Sequence, residues 1–181
     1  MTELGLDDAE RRRFVADPEA LAALALEVAD LSDPDVRALV IRHEHPELED
    51  ALSRDLEEVE LGRGPMNPRL HVAMHEIVAT QLWEGDPPEV WETVVRLRDA
   101  RYDRHEILHM LGRPVSEQIW AALHDDQPYD RVRHVAALRA LPGSWERERR
   151  AADPASHGHE ADRKRGRRTA RAARRRNRRP K

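Results

Sequence analysis

The stretch NPRLHVAMHEIVATQLWEG, residues 67–85, decides the fold class. Asn67 is a good helix N-cap and Pro68 suits the first helical position, where its missing N–H costs nothing. Gly85 stands just past the last turn, the usual place for a left-handed stop. Between these signals His71, His75, Val78 and Leu82 recur at helical spacing, so one stripe faces a core. We therefore expect a helix from Asn67 to Gly85, with two histidines on its inner face.

The same punctuation extends outward in both directions. Asp17-Pro18 and Asp33-Pro34 each place a cap before a proline, and Pro46 opens another short segment. These predict helices near 18–30, 34–43 and 46–57, with residues 59–66 as a connector. Downstream, Asp86 with Glu89 three residues later has the form of a capping box and opens a second central helix. Asp103 opens a third, RPVSEQIWAALHD a fourth, and PYDRVRHVAALRALPG a fifth that Pro142 and Gly143 stop. No stretch alternates in the manner of a strand. The expected fold is all-α, a small helical bundle with short helix–helix connections that favour antiparallel neighbours.

Composition narrows the classes. The 181 residues suffice for one domain with a core plus tails, and there is no cysteine. Disulfides and thiolate metal sites are excluded, and a reducing compartment suits the chain. The acidic start MTELGLDDAERRR lacks the pattern of a secretory signal, and no apolar run is long enough to span a bilayer. The expectation is a cytoplasmic protein with no membrane contact. The net charge of −4 hides an asymmetry. Residues 161–181 carry twelve Lys+Arg against one Asp, and the preceding 160 carry nineteen against thirty-four Asp+Glu. We read an N-terminal helical extension at 1–32, a helical domain at 33–146 and a disordered basic tail at 147–181. Within the tail, residues 163–181 have the charge to contact RNA or DNA without sequence preference, because aromatics for base stacking are absent.

Two His-x-x-x-His pairs carry the chemistry. HVAMH places His71 and His75 four residues apart, and HEILH does the same for His105 and His109. Residues at this spacing share one helix face and can share one metal ion. If the intervening helix folds back, the two histidine helices run parallel. The pairs then differ in height by only roughly 3 Å, at 1.5 Å per residue. Four imidazoles in one bundle layer would suit one divalent transition metal, Zn²⁺ first, with Fe²⁺, Ni²⁺ or Cu²⁺ as alternatives. The competing reading is four core histidines bonded to carboxylates and carbonyls.

The stretch 67–97 followed by YDRHEILHMLGRPVSEQIWAAL, with IRHEHPELEDAL before it and PYDRVRHVAALRALPGSW after it, resembles a bacterial family known as domain of unknown function eighteen forty-one, in its actinobacterial branch. The resemblance covers about residues 33–146. It implies a small helical protein with paired histidines at His71, His75, His105 and His109, and it implies no activity. It also implies that the position of Glu106 is not restricted to glutamate.

HEILHMLGRPV follows a zinc-protease pattern through Gly112, and then Val115 stands where a third histidine belongs. Glu106 is the candidate catalytic base toward a metal-bound water, as in enzymes with this spacing. Its competing role is the third position of a capping box opened by Asp103. Glu117 is a conditional fifth ligand. It reaches the histidines if Gly112 and Pro114 reverse the chain, and lies too far if one helix continues through them. Glu76, next to His75, is a candidate carboxylate for orienting an imidazole, against the competing reading of a surface charge. Three functions remain open: a metal-dependent hydrolase, a non-enzymatic helical binding module, and an accessory RNA- or ribosome-associated protein acting through its tail.

Overall fold

The structure is a computed structural model and describes residues 3–60 and 64–152. They fall into two units, Met1–Leu141 and Pro142–Lys181. The first contains α1 (Glu3–Phe14), α2 (Pro18–Ala23), α3 (Pro34–His43), α4 (Glu49–Ser53), α5 (Pro68–Glu84), α6 (Glu89–Asp99), α7 (Arg104–His124) and α8 (Arg131–Arg139). Short 3-10 turns at Val28–Ser32 and Pro46–Leu48 precede α3 and α4. The second unit contributes α9 (Gly143–Ala152). The all-α expectation holds, with one addition. The connector before α5 closes as a two-residue antiparallel ladder, β1 (Val59–Glu60) on β2 (Pro65–Met66), with Val59 opposite Met66. Among the described residues no helix is long and apolar enough to cross a membrane.

Local signals set most helix starts. Asp17 accepts the N–H of Glu19 at 2.7 Å, Asp33 that of Asp35 at 2.8 Å and Asn67 that of Leu70 at 2.9 Å. In each case proline follows the cap. Gly85 ends α5 at φ 70°. The stops of α2 and α4 were not legible. Both end on a left-handed residue that is not glycine, Ala25 at φ 53° and Asp55 at φ 60°. The N–H groups of Leu26 and Leu56 then reach back to Leu21 and Ala51 at 2.9 Å. This is the six-to-one closure of a Schellman end. The helices expected at 18–30 and 46–57 are therefore shorter than predicted.

Four other expectations change. The two helices predicted between Asp103 and Asp125 are one, α7, with Pro114 inside it. Asp86 does not cap α6, whose cap position is Pro88; its carboxylate pairs instead with Arg131 of α8 at 2.6 Å. Residues 147–152, expected to be disordered, continue α9, while the rest of the basic tail lies outside the described residues. The extension expected at 1–32 includes α1, which no apolar stripe announces. It is held by polar contacts. Arg11 is buried and donates to Leu82 O and Trp83 O at the C-terminal end of α5, and Trp91 Nε1 donates to Asp7. Val15, Ala16, Leu21 and Leu31 of the same segment lie in the core.

The centre is α5 against α7, with α1 and α3 covering α5, and α6 and α8 covering α7. Val72, Val78 and Leu82 of α5 and Ile107, Met110 and Leu111 of α7 are all buried, and the two helices pack against each other. Gly112 faces Met74, and a Cβ built there would collide with its thioether. Gly112→Ala should therefore destabilise the protein by about 1–3 kcal/mol through overpacking. The thioether can be removed. In urea unfolding, Met74→Ala and Gly112→Ala combined should cost less than the sum of the two; strict additivity would show that the pair does not set the helix spacing.

Candidate metal centre

Five imidazoles gather where α5, α7 and the end of α3 meet. His71 and His75 of α5 have ring centroids 4.7 Å apart, and His109 of α7 lies 5.1 and 5.0 Å from them. His105 stands 4.5 Å from His109. The fifth ring is His45, which the sequence reading did not select. It lies 4.9 Å from His71, 4.5 Å from His75 and 6.1 Å from His105. One potential ligand atom from each of His45, His71 and His75 falls within 4.8 Å of the other two.

The register explains the substitution of His45 for His105 beside the α5 pair. His71 meets His109 and Met74 meets Gly112, so the two helices advance together and run in the same sense. The α7 pair is shifted relative to the expected layer. His109 therefore abuts both α5 histidines, and His105 sits one turn further out, exposed to solvent. His45 fills the inner place from a different element. It directly precedes Pro46, which disfavours the helical region for the residue before it. Its backbone turns to φ −123°, ψ 58° as α3 ends, and its ring is buried at 3% exposure. The available signal was Glu47, two residues on. His45 Nδ1 bonds Glu47 Oε1 at 3.1 Å. With that nitrogen as donor, the lone pair sits on Nε2, the arrangement by which a carboxylate orients a metal-binding imidazole. Partial burial works against the Glu47 charge, yet its own backbone N–H and His45 hold the carboxyl below the usual glutamate range.

The outer frame is fixed by one ion pair. Glu44 at the end of α3 accepts from Arg104 at the start of α7 at 2.9 Å, and from the N–H of Asp17 at 2.6 Å. Arg104 also donates to Phe14 O and Val15 O at 3.2 and 2.9 Å. The residues next to this pair are His45 and His105, so it sets their separation.

Of the carboxylates expected nearby, Glu106 occupies the third position of α7, with its N–H on Asp103 Oδ1 at 2.8 Å. It is not in the group whose ligand atoms gather. Glu117 takes the second of its two expected placements, that of one continuing helix. Because α7 is continuous, Glu117 stands two turns past His109 and pairs with Arg113 at 3.3 Å. Gln81 faces His134 at 3.3 Å.

Burial and mutual repulsion keep His71 and His75 neutral. Burial first, then the neighbouring imidazoles led by His45, hold His71 down to about 4 and His75 to about 2. His75 Nε2 is fully buried with no hydrogen-bond partner. An orphaned buried nitrogen is costly, on the order of 1–3 kcal/mol. A neutral ring with an unused buried nitrogen is in the form that ligates a cation.

The sequence profile described as Domain of unknown function (DUF1841) matches residues 9–140. The chain belongs to the DUF1841 family. The match starts before residue 33, where the expected resemblance begins, and takes in the second half of α1 as well as every residue of the imidazole cluster. The DUF1841 match ends one residue short of the boundary between the two units. No curated protein and no solved structure matches the chain.

The lowered histidines make the metal-free protein acid-sensitive. Both rings take up protons near 6.5 when unfolded, but only near 4 (His71) or 2 (His75) when folded. The unfolded state thus binds more protons below pH 6.5, and stability falls as pH drops from there toward 4. Thermal melts in the presence of a chelator should show a lower Tm at pH 5 than at pH 7.5. His75→Leu should shrink that difference.

Proposed function

We infer that the protein binds one divalent transition metal through His45, His71 and His75, with the fourth position on the side of His109. The observation that carries this reading is the three-histidine group within 4.8 Å, one member of which has a buried nitrogen without a partner. Ring spacing supports it too. Two imidazoles on one tetrahedral ion, each bonded at roughly 2.0–2.1 Å, have ring centres about 5 Å apart. The three inner separations are 4.5, 4.7 and 4.9 Å, so modest ring rotations would suffice. An all-imidazole set favours Zn²⁺, with Fe²⁺, Ni²⁺ and Cu²⁺ accepted by the same donors. Three histidines with a fourth position left to water are the arrangement of hydrolytic zinc sites, and metal-dependent hydrolysis is the reaction class we propose. The chain's own contribution is to keep His71 and His75 neutral by burial and to orient His45 through Glu47.

Protein purified without a nickel column should carry about one equivalent of metal, the number one such site holds. His75→Ala should abolish it, and Glu47→Ala should weaken it roughly 10–100-fold, as the loss of an orienting carboxylate does elsewhere. A chain that arrives without metal and takes up none on titration overturns the reading. If the ion is structural, His75→Ala lowers Tm sharply; if it is catalytic, activity falls further than stability.

A second reading rests on the twelve Lys+Arg of residues 161–181. An array of that charge binds RNA by releasing counterions from phosphates. Full-length protein should bind a mixed-sequence RNA with an affinity that drops about a thousandfold or more between roughly 50 and 200 mM salt. A variant with Arg174, Arg175 and Arg176 changed to Ser should bind more weakly and with a shallower salt slope. Equal binding by the two removes this reading.

A further inference from the structure

The inner triad uses three of the five imidazoles, and the remaining two are arranged in order of depth. His105 is exposed, His109 and His71 are half-buried, and His75 and His45 are buried at 4% and 3% exposure. Neighbouring rings along this series are 4.5 Å apart from His105 to His109, 5.0 Å from His109 to His75, and 4.5 Å from His75 to His45. Each step is close to the spacing of about 5 Å at which two imidazoles share one ion. An ion can therefore pass inward while always held by at least one ring.

We propose that His105 and His109 form an outer, exchangeable metal seat through which the inner triad is filled and emptied. The proposal rests on the inner site inferred above and adds a second binding position to it. Four residues apart on α7, the two rings can hold an ion from one side and leave its other positions to water. Such a seat is weaker than the buried triad and faster to exchange.

The surroundings of His105 suit the arrival of a cation. A cavity of about 480 Å³ opens beside it, lined by Asp17, Glu19, His43, Glu44 and Arg104. The one guanidinium there is neutralised by Glu44 at 2.9 Å and spends further N–H groups on Phe14 O and Val15 O. Asp17 and Glu19 leave the mouth with excess negative charge, which raises the local concentration of cations. His105 is thus a capture ligand and not a resident one.

The test uses full-length metal-free protein and Co²⁺, whose absorption reports its ligands. Wild type should take up one tight and one weaker equivalent. His105→Ala should keep the tight equivalent with an unchanged spectrum and lose the weaker one. It should also load from, and release to, a chelator about tenfold more slowly, comparable to losing an outer partner of a metal site. His105→Gln should behave likewise, and circular dichroism checks that both variants remain folded. His75→Ala should instead remove the tight equivalent. Loading and release of His105→Ala at the wild-type rate overturns the proposal. So does a change in the tight ion's spectrum, which would make His105 a resident ligand. Failure of wild type to bind any Co²⁺ is a different outcome and overturns the inner site itself, with this inference.

Discussion

The close contact between Met74 of α5 and Gly112 of α7 is the constraint on which the rest of the molecule depends. A side chain on residue 112 would collide with the thioether, so the bare backbone there lets Met74 pack directly against α7. That approach brings His71 within 5.1 Å of His109 one turn earlier along both helices. Pro114, two residues further on, removes one hydrogen bond from the interior of α7. Buried contacts of Met110, Leu111 and Val115 against neighbouring helices hold the segment helical where local propensity alone would break it.

Around this pair, arginine takes a role that larger proteins give to aromatic packing. The chain has one Phe, two Tyr and four Trp. Guanidinium groups close the carbonyl ends of several elements: Arg11 on Leu82 and Trp83, Arg37 on Leu31 and Ser32, and Arg96 on Leu138. Arg104 does the same on Phe14 and Val15. Carbonyls at a helix end have no partner of their own and carry the negative end of the helix dipole. Charge-assisted hydrogen bonds to them contribute about 1.5–3 kcal/mol each. The Arg37 bonds are local, but those of Arg11, Arg96 and Arg104 join segments 42 to 90 residues apart, so they also fix tertiary placement.

The imidazole cluster concentrates the polar cost of the fold. Burying several titratable rings together is unfavourable for the protonated forms, which is why His71 and His75 stay neutral. Neutral rings need hydrogen-bond partners or a cation. Glu47 serves His45, whereas His75 Nε2 has none. Placing such a group at the junction of α3, α5 and α7 destabilises the isolated chain, and a bound ion would repay that by joining three elements at one point.

Most helix starts, the all-α class and the inward facing of His71 and His75 were readable because caps, prolines and 3.6-residue stripes act within a few residues. Asn67, Gly85 and Asp103 perform the roles their types announce. The helix ends at Ala25 and Asp55 were not readable, since neither residue type favours a left-handed stop and only the packed chain holds them there. The arginine anchor of α1 has no periodicity to detect. Nor did the sequence separate one continuous α7 from two helices, because Pro114 is tolerated only where neighbouring helices support it. Membership of the imidazole cluster was decided by tertiary structure as well. The stagger of α7 against α5 moved His105 outward. The turn before Pro46 brought in His45, a residue 26 positions away from His71 in the chain. Spacing along a helix is a local property, but the ring that completes a site from another element depends on how the helices pack.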